Sequence, residues 1–354
     1  MNPKIHLLAA ILLPILLNNC GKNVPGEAPP HTPHATQFLN APLIETINTA
    51  NPSARQFGER LYIYPSHDSA SPNSASSSSV DYHVFALDDI NGPISDLGPA
   101  LHIGEIPWAK QQLSGPDTVE KNGNFYLYFA AQDDKDIFRI GVAIADKPEG
   151  PFTPQETPIT GTYSTDPSVF QDDDGAFYLY LGGIGTGQLQ RWQGNSYNTT
   201  DGYPADNSPT LLPRIAKLGD NMISLQHPLT EVPLLDETGN LINFGDKARR
   251  FASAPWVHKN QGVYYLSWFS GESGLLQYAT SDNPYGPFHW RGRLMEPVYG
   301  TGNHHAIVAY KGKWYVFYHD ASQTGQDQLR SVKVTELSHN PDGTITTIDP
   351  YLGD

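Results

Sequence analysis

GNFYLYF (residues 123–129) is a turn glycine feeding a run of aromatic and branched side chains of strand length, the local signature of a β-hairpin. Four more stretches repeat it: GERLYIY (58–64), GAFYLYL (175–181), GVYYLSW (262–268) and GKWYVFY (312–318). Their glycines are 65, 52, 87 and 50 residues apart, which suits one supersecondary unit used five times. A second repeated element supports this: ADKPEGPF (145–152) and SDNPYGPF (281–288) follow their aromatic runs at similar distances. No segment has an apolar period of helical length. The expected fold is therefore all-β, a five-bladed β-propeller of about four strands per blade.

In a propeller the first strand of each blade lines the central channel. The segments ahead of the five glycines are NPSARQF (51–57), GPDTVEK (115–121), TDPSVFQD (165–172), SAPWVHK (253–259) and NHHAIVAY (303–310). They converge on one axis, and what they present at one mouth forms a single site.

The 354 residues are 38% hydrophobic, 11% aromatic and 17% charged, with 32 Gly and 30 Pro, a turn-rich globular composition. The net charge of −15, with no basic cluster, argues against a nucleic-acid partner, since phosphate binding rests on Lys and Arg. Lys4 followed by the apolar run 5–17 reads as an export signal too short to span a bilayer. The only cysteine, Cys20, follows in LLNNCGKN (16–23), the place of a lipidated cysteine; Asn19 stands where a small residue is usual, so a plain secretory signal is the alternative. The expected organisation is a signal over 1–20, a Pro-rich tether over 21–45 and the propeller over 46–354. The protein is expected to be exported, as an outer-membrane or cell-surface lipoprotein held through Cys20, or as a periplasmic or secreted monomer. SHDSASPNSASSSSVDYH (66–83) reads as a serine-rich, functionally silent loop between the first two strands of blade one.

Over about residues 48–351 the chain resembles glycoside hydrolase family 43, in its arabinofuranosidase/xylosidase-like branch. The resemblance rests on YIYPSHD (62–68), DYHVFALDD (81–89), IFRIGVA (137–143), STDPSVFQDDDG (164–175), NPYGPF (283–288), KGKWYVFYHD (311–320) and LRSVKVTEL (329–337). It implies a plant-type polysaccharide or oligosaccharide of arabinose or xylose as partner. It implies no required cofactor, and allows a structural calcium in the channel. It also implies an inverting mechanism, in which one carboxylate activates water and another carboxyl protonates the leaving oxygen.

The residues at those positions depart from the pattern. The base aspartate is Asn51, whose amide has no useful basicity, and the acid glutamate is Ser253, a poor proton donor. The aspartate that tunes the acid persists as Asp166. Three tryptophans of the family pattern are Ser114, Gly185 and Thr301. Asp117, Asp68, Arg330 and His305 are assigned by resemblance to the substrate pocket, and His304 to the channel ion. The plainer roles are turn caps for the two aspartates, a buried ion pair for Arg330 and a core hydrogen bond for a channel histidine. The sequence thus leaves two readings: a hydrolase by descent, degenerate as an inverting glycosidase and retaining at most weak or altered activity with Asp68 or Asp117 as a substitute base, and a non-catalytic surface propeller that binds a glycan or a protein. The loss of both catalytic groups favours the second.

Overall fold

The computed structural model describes residues 40–69 and 79–351. Four blades are sheets of four or more strands, and the fifth pairs three. Blade one runs from Thr49–Phe57 to Ser95–His102, blade two from Gln111–Lys121 to Thr153–Pro154, and blade three from Ser168–Gln171 to Thr230–Glu231. Blade four spans Ser253–Asn260 to Phe288–Met295 and adds the short parallel strand Leu234–Leu235 at its outer edge. Blade five comprises Ala306–Tyr310, Lys313–Asp320 and Ser331–Leu337. Each inner strand packs on the inner strand of the next blade, and that of blade five packs on that of blade one. The ring is closed. The expected five-bladed propeller is what the chain forms.

The aromatic runs are the second strand of each blade. Blades stack face to face, so these strands are covered on both sides and read as continuous apolar runs, without alternation. Phe177–Leu181 is buried at every residue. Tyrosines near the ends of the runs also join blades. Tyr64 donates to Pro148 O at 2.6 Å, Tyr180 to Pro284 O at 2.5 Å and Tyr128 to Met222 O at 2.7 Å. Pro148 and Pro284 belong to the two repeated Gly-Pro turns, so the two sequence signals are halves of one interblade contact. A buried tyrosine hydroxyl needs such a partner.

Closure of the ring uses the N-terminal segment. Leu43 N–H donates to Val332 O at 2.7 Å and Thr49 N–H to Arg330 O at 2.8 Å, alongside the last strand of blade five. Ile44 is buried in the core shared by blades one, four and five. Ordered packing therefore starts inside the stretch 21–45 expected to be tether. The export signal, Cys20 and the rest of that stretch up to residue 39 lie outside the described residues. The serine-rich segment joins the second and third strands of blade one, Arg60–His67 and Asp81–Leu87, where the sequence suggested the first and second. Both of its ends are strand, and only 70–78 lies outside the described residues.

Candidate active site

Three of the five inner strands contain an X-Pro step, Asn51-Pro52, Gly115-Pro116 and Ala254-Pro255, and in blade three Asp166-Pro167 stands immediately ahead of Ser168–Gln171. Proline donates no hydrogen bond, so the ladder cannot continue through it. The register slips between Ala50 and Ser53, between Ser114 and Asp117, and between Ser253 and Trp256, two residues opposing one each time. Such a bulge re-aims side chains. Asn51, Asp166 and Ala254 take φ of +47°, +57° and +56°, which Asn and Asp tolerate better than Ala does. At Gly115 a Cβ would stand 2.7 Å from His304 Nε2 and 3.3 Å from Asn51 Cβ, so only glycine lets these two side chains approach.

The bulges open onto a cavity of about 400 Å³ at one mouth of the channel. Asn51, Ser114, Asp166, Ser253, Asp68, His304 and Arg330 all line it, drawn from every blade of the ring. Among the described residues its only carboxylates are Asp68 and Asp166, and its only phenyl walls Phe138 and Phe269.

Asn51 is tightly held. Its backbone N–H donates to His319 Nδ1 at 3.0 Å, and its side-chain Nδ2 donates to Ser66 Oγ at 3.1 Å. Ser66 spends its own proton on Ala50 O at 3.1 Å, so its lone pair faces the Asn51 amide. Asp68 is clamped by Arg330, which donates Nε to Oδ2 at 2.8 Å, Nη2 to Oδ1 at 2.9 Å and its backbone N–H to Oδ2 at 3.2 Å. Asp68 is thereby an ion-pair partner, and unsuited to activating water. Burial, and then the Arg330 guanidinium, push His304 down to about 3, so this ring is neutral at any physiological pH. His319 is depressed by the same two causes.

Asp166 is the exception. Among the described residues no cation pairs with it, and burial pushes its carboxyl up to about 6, against the opposing hydrogen bonds of Ser114, Ala254 and Thr165. Ser114 Oγ donates to Oδ1 at 3.0 Å and the Ala254 N–H donates to Oδ2 at 3.2 Å.

Residues 42–345 match the family model for glycosyl hydrolases family 43. The chain belongs to that family. A xylosidase/arabinosidase of Bacteroides ovatus is 45% identical over 307 residues, covering 85% of this chain and 94% of the relative. A β-xylosidase of Xylanibacter ruminicola is 43% identical, covering 84% of this chain and 96% of the relative. Among solved structures, a GH43 β-xylosidase/α-arabinofuranosidase from a compost microbial metagenome, in complex with xylotriose and in calcium-free form, is 49% identical with a TM-score of 0.86. That likeness covers 90% of this chain and 99% of the other. The GH43_1 enzyme of Xanthomonas citri complexed with xylotriose is 47% identical with a TM-score of 0.87, covering 90% and 96%.

Within this family 43 chain, two residues assigned to the pocket by sequence stand away from it. Asp117 is fully buried and does not line the cavity. It accepts from Ser53 Oγ at 2.6 Å, Arg55 Nε at 3.0 Å, its neighbour Thr118 N–H at 2.8 Å and Val169 N–H at 2.7 Å. Arg55 also lies 4.3 Å over the Trp256 ring. Asp117 thus joins blades one, two and three, with Arg55 extending the contact to blade four, and the bulge before it together with these partners turns it to the core side, away from the mouth. His305 is likewise fully buried, paired with Ser267 Oγ at 2.6 Å. Of the three positions at which the resemblance implies a tryptophan, only Ser114 lines the cavity; Gly185 and Thr301 lie beside lining residues.

Sequence reasoning missed His319 and Ser66, which position Asn51. Both sit in quoted motifs, YHD (318–320) and PSHD (65–68), but neither carries a charge or a catalytic role that would single it out. As for calcium, His304 Nδ1 is buried without a hydrogen-bond partner, a position that an ion or a water could satisfy. Ca²⁺ takes six to eight oxygens, however, while Asp68 is committed to Arg330 and the guanidinium lies close to His304. The side chains here do not fit a protein-ligated Ca²⁺.

Proposed function

We propose that this family 43 propeller binds xylose- or arabinose-containing oligosaccharides of plant-type polysaccharide and no longer hydrolyses them. The observation that carries the reading is the cavity's carboxyl inventory. Inversion requires a base and an acid about 6.5–9.5 Å apart. Asn51 and Ser253 occupy the positions that the family resemblance gives to these groups, Asp68 is neutralised by Arg330, and Asp166 alone remains. Each missing acid–base partner removes about 10²- to 10⁴-fold in rate. The relatives named as xylosidases and arabinosidases, and the neighbours that hold xylotriose, supply the ligand class. In this reading Cys20 anchors the exported propeller to a membrane, where a non-hydrolysing glycan receptor serves capture.

The test measures two things on one sample: pentose release from aryl xylosides, aryl arabinofuranosides and arabinoxylan, and calorimetric binding of xylotriose and arabino-oligosaccharides. Saturable binding without release is expected. Turnover within about 100-fold of an active family member would overturn the reading, and so would the absence of binding to every pentose oligomer.

A further inference from the structure

Blade one carries a second cluster of chemistry-bearing side chains, on the opposite face of the cavity wall. Ser66 and Asp68 line the cavity, and His67 between them points to the other side of its strand, as period-two alternation requires. Ser66 pairs with Tyr82 in the antiparallel ladder, so His67 lies across from Asp81, and His83 shares the face of Asp81. His67 Nδ1 is 2.9 Å from Asp81 Oδ1, and His83 Nε2 is 3.4 Å from Asp81 Oδ2. One ligand atom from each residue falls within 4.8 Å of the others.

These separations suit a metal ion. Around a tetrahedral Zn²⁺ with ligands at about 2.0–2.1 Å, neighbouring ligand atoms stand about 3.3 Å apart. The far side of one ring is open to a second carboxylate. His83 Nδ1 is buried without a hydrogen-bond partner, and Asp96 Oδ1, which accepts from the Gly98 N–H at 2.8 Å, stands 3.6 Å from it, beyond hydrogen-bond range but near enough to close on a ring that a metal has fixed. A carboxylate hydrogen-bonded behind a histidine orients metal-bound imidazoles, and Asp96 would take that role on metal binding. The side chains of His67, His83 and Asp81 are 29%, 16% and 14% exposed, which leaves an entry path and room for water as a fourth ligand.

We propose that His67 Nδ1, His83 Nε2 and the Asp81 carboxylate form a site for a borderline divalent transition ion, with Zn²⁺ as the best match. Two imidazoles in a set of three disfavour Ca²⁺ and Mg²⁺, which take oxygen ligands. The ion would bind where the serine-rich connection leaves the second strand and rejoins the third, and would tie these strands together behind Ser66 and Asp68. Coordination replaces the His–Asp hydrogen bonds and releases any proton that the rings hold.

The experiment uses the full exported chain without a histidine tag, stripped by chelator and then titrated with Zn²⁺ by calorimetry and with Co²⁺ by visible absorption. One equivalent of tight Zn²⁺, and cobalt bands of four-coordinate intensity, are expected. His67→Ala/His83→Ala should lose at least about 100-fold in affinity, and Asp96→Ala about 10- to 100-fold through loss of ring orientation. His258→Ala/His339→Ala removes another close imidazole pair, whose Nε2 atoms are 3.1 Å apart, and should leave the stoichiometry unchanged. Absence of binding to the parent protein overturns the proposal, as does one equivalent that survives loss of His67 and His83. If that double variant does not fold, His83→Gln and the cobalt spectrum of the parent decide: unchanged affinity in the first, or octahedral-type weak bands in the second, would overturn it.

Discussion

Ser114 Oγ donates a hydrogen bond to Asp166 Oδ1 at 3.0 Å, so a residue that the family resemblance places at a tryptophan position satisfies the cavity carboxylate that, among the described residues, has no cationic partner. The serine is chemically coupled to the site. It opposes, without cancelling, the effect of burial on Asp166.

The consequence for stability has a definite sign. A carboxyl near 6 in the folded protein and near 4 in the unfolded chain holds an extra proton in the native state between these values. Stability from this group is fully present below about pH 4, is lost as pH rises through about 6, and is flat above. The loss amounts to about 3 kcal/mol. Asp166→Asn should remove that slope, and Ser114→Ala should push the carboxyl higher and extend the slope to higher pH. Urea unfolding of the three proteins from pH 4 to 8 checks this; a parent-minus-Asp166→Asn difference that does not change with pH would refute it.

Asp117 should prove a stability residue with no effect specific to sugar. Asp117→Ala strips the partner from Arg55, whose guanidinium also donates to Val169 O at 2.8 Å and lies over Trp256. Breaking a buried pair from one side costs about 3–5 kcal/mol. Denaturant melts should show this loss, while xylotriose affinity of the folded fraction stays within about twofold. A large affinity change at unchanged stability would return Asp117 to the pocket.

How much of this was legible in the sequence depends on what the residues' neighbours are. The aromatic runs announced the blades because their burial on both faces is a local, repeated demand on composition. The cavity residues Asn51, Asp166 and Ser253 were legible through the family resemblance of their motifs, and each sits at or beside an X-Pro step. Asp117 also sits next to such a step, yet its orientation depends on Arg55 and Val169, from other blades. The cluster at His67, Asp81 and His83 was hidden for a related reason: its members flank a serine-rich insertion, and only strand pairing brings them together. The closing segment at Leu43–Ile44 was read as tether because a short apolar pair after a Pro-rich run has no periodicity to reveal it.

Membrane attachment tests the remaining sequence expectation. If Cys20 is lipidated, Cys20→Ala should move the protein from the membrane fraction to the soluble exported fraction, with unchanged folding and xylotriose binding. Immunoblotting of fractionated cells reads this directly, and unchanged membrane association would remove the anchor.

The strongest test of the functional proposal is restoration. Asn51→Asp and Ser253→Glu together return a base and an acid to strands whose bulges already aim at the cavity, with Asp166 in place beside the acid position. The new aspartate would find its hydrogen bonds ready: the His319 contact is to the backbone N–H, and Ser66 needs only to turn its proton from Ala50 O to the carboxylate. Groups that act as a unit are not additive, so each single variant should remain inert and the pair should exceed either by at least about 10³-fold. Its KM should be high, because the cavity has few aromatic walls. Among the three lost tryptophan positions, Thr301 is the one to refill. Gly185 has φ of +74°, which a tryptophan would resist, and Ser114 is committed to Asp166. Adding Thr301→Trp to the pair should therefore lower KM with little change in kcat. A pair that folds, binds xylotriose as the parent does and still releases no pentose would refute the assignment of base and acid to these two positions.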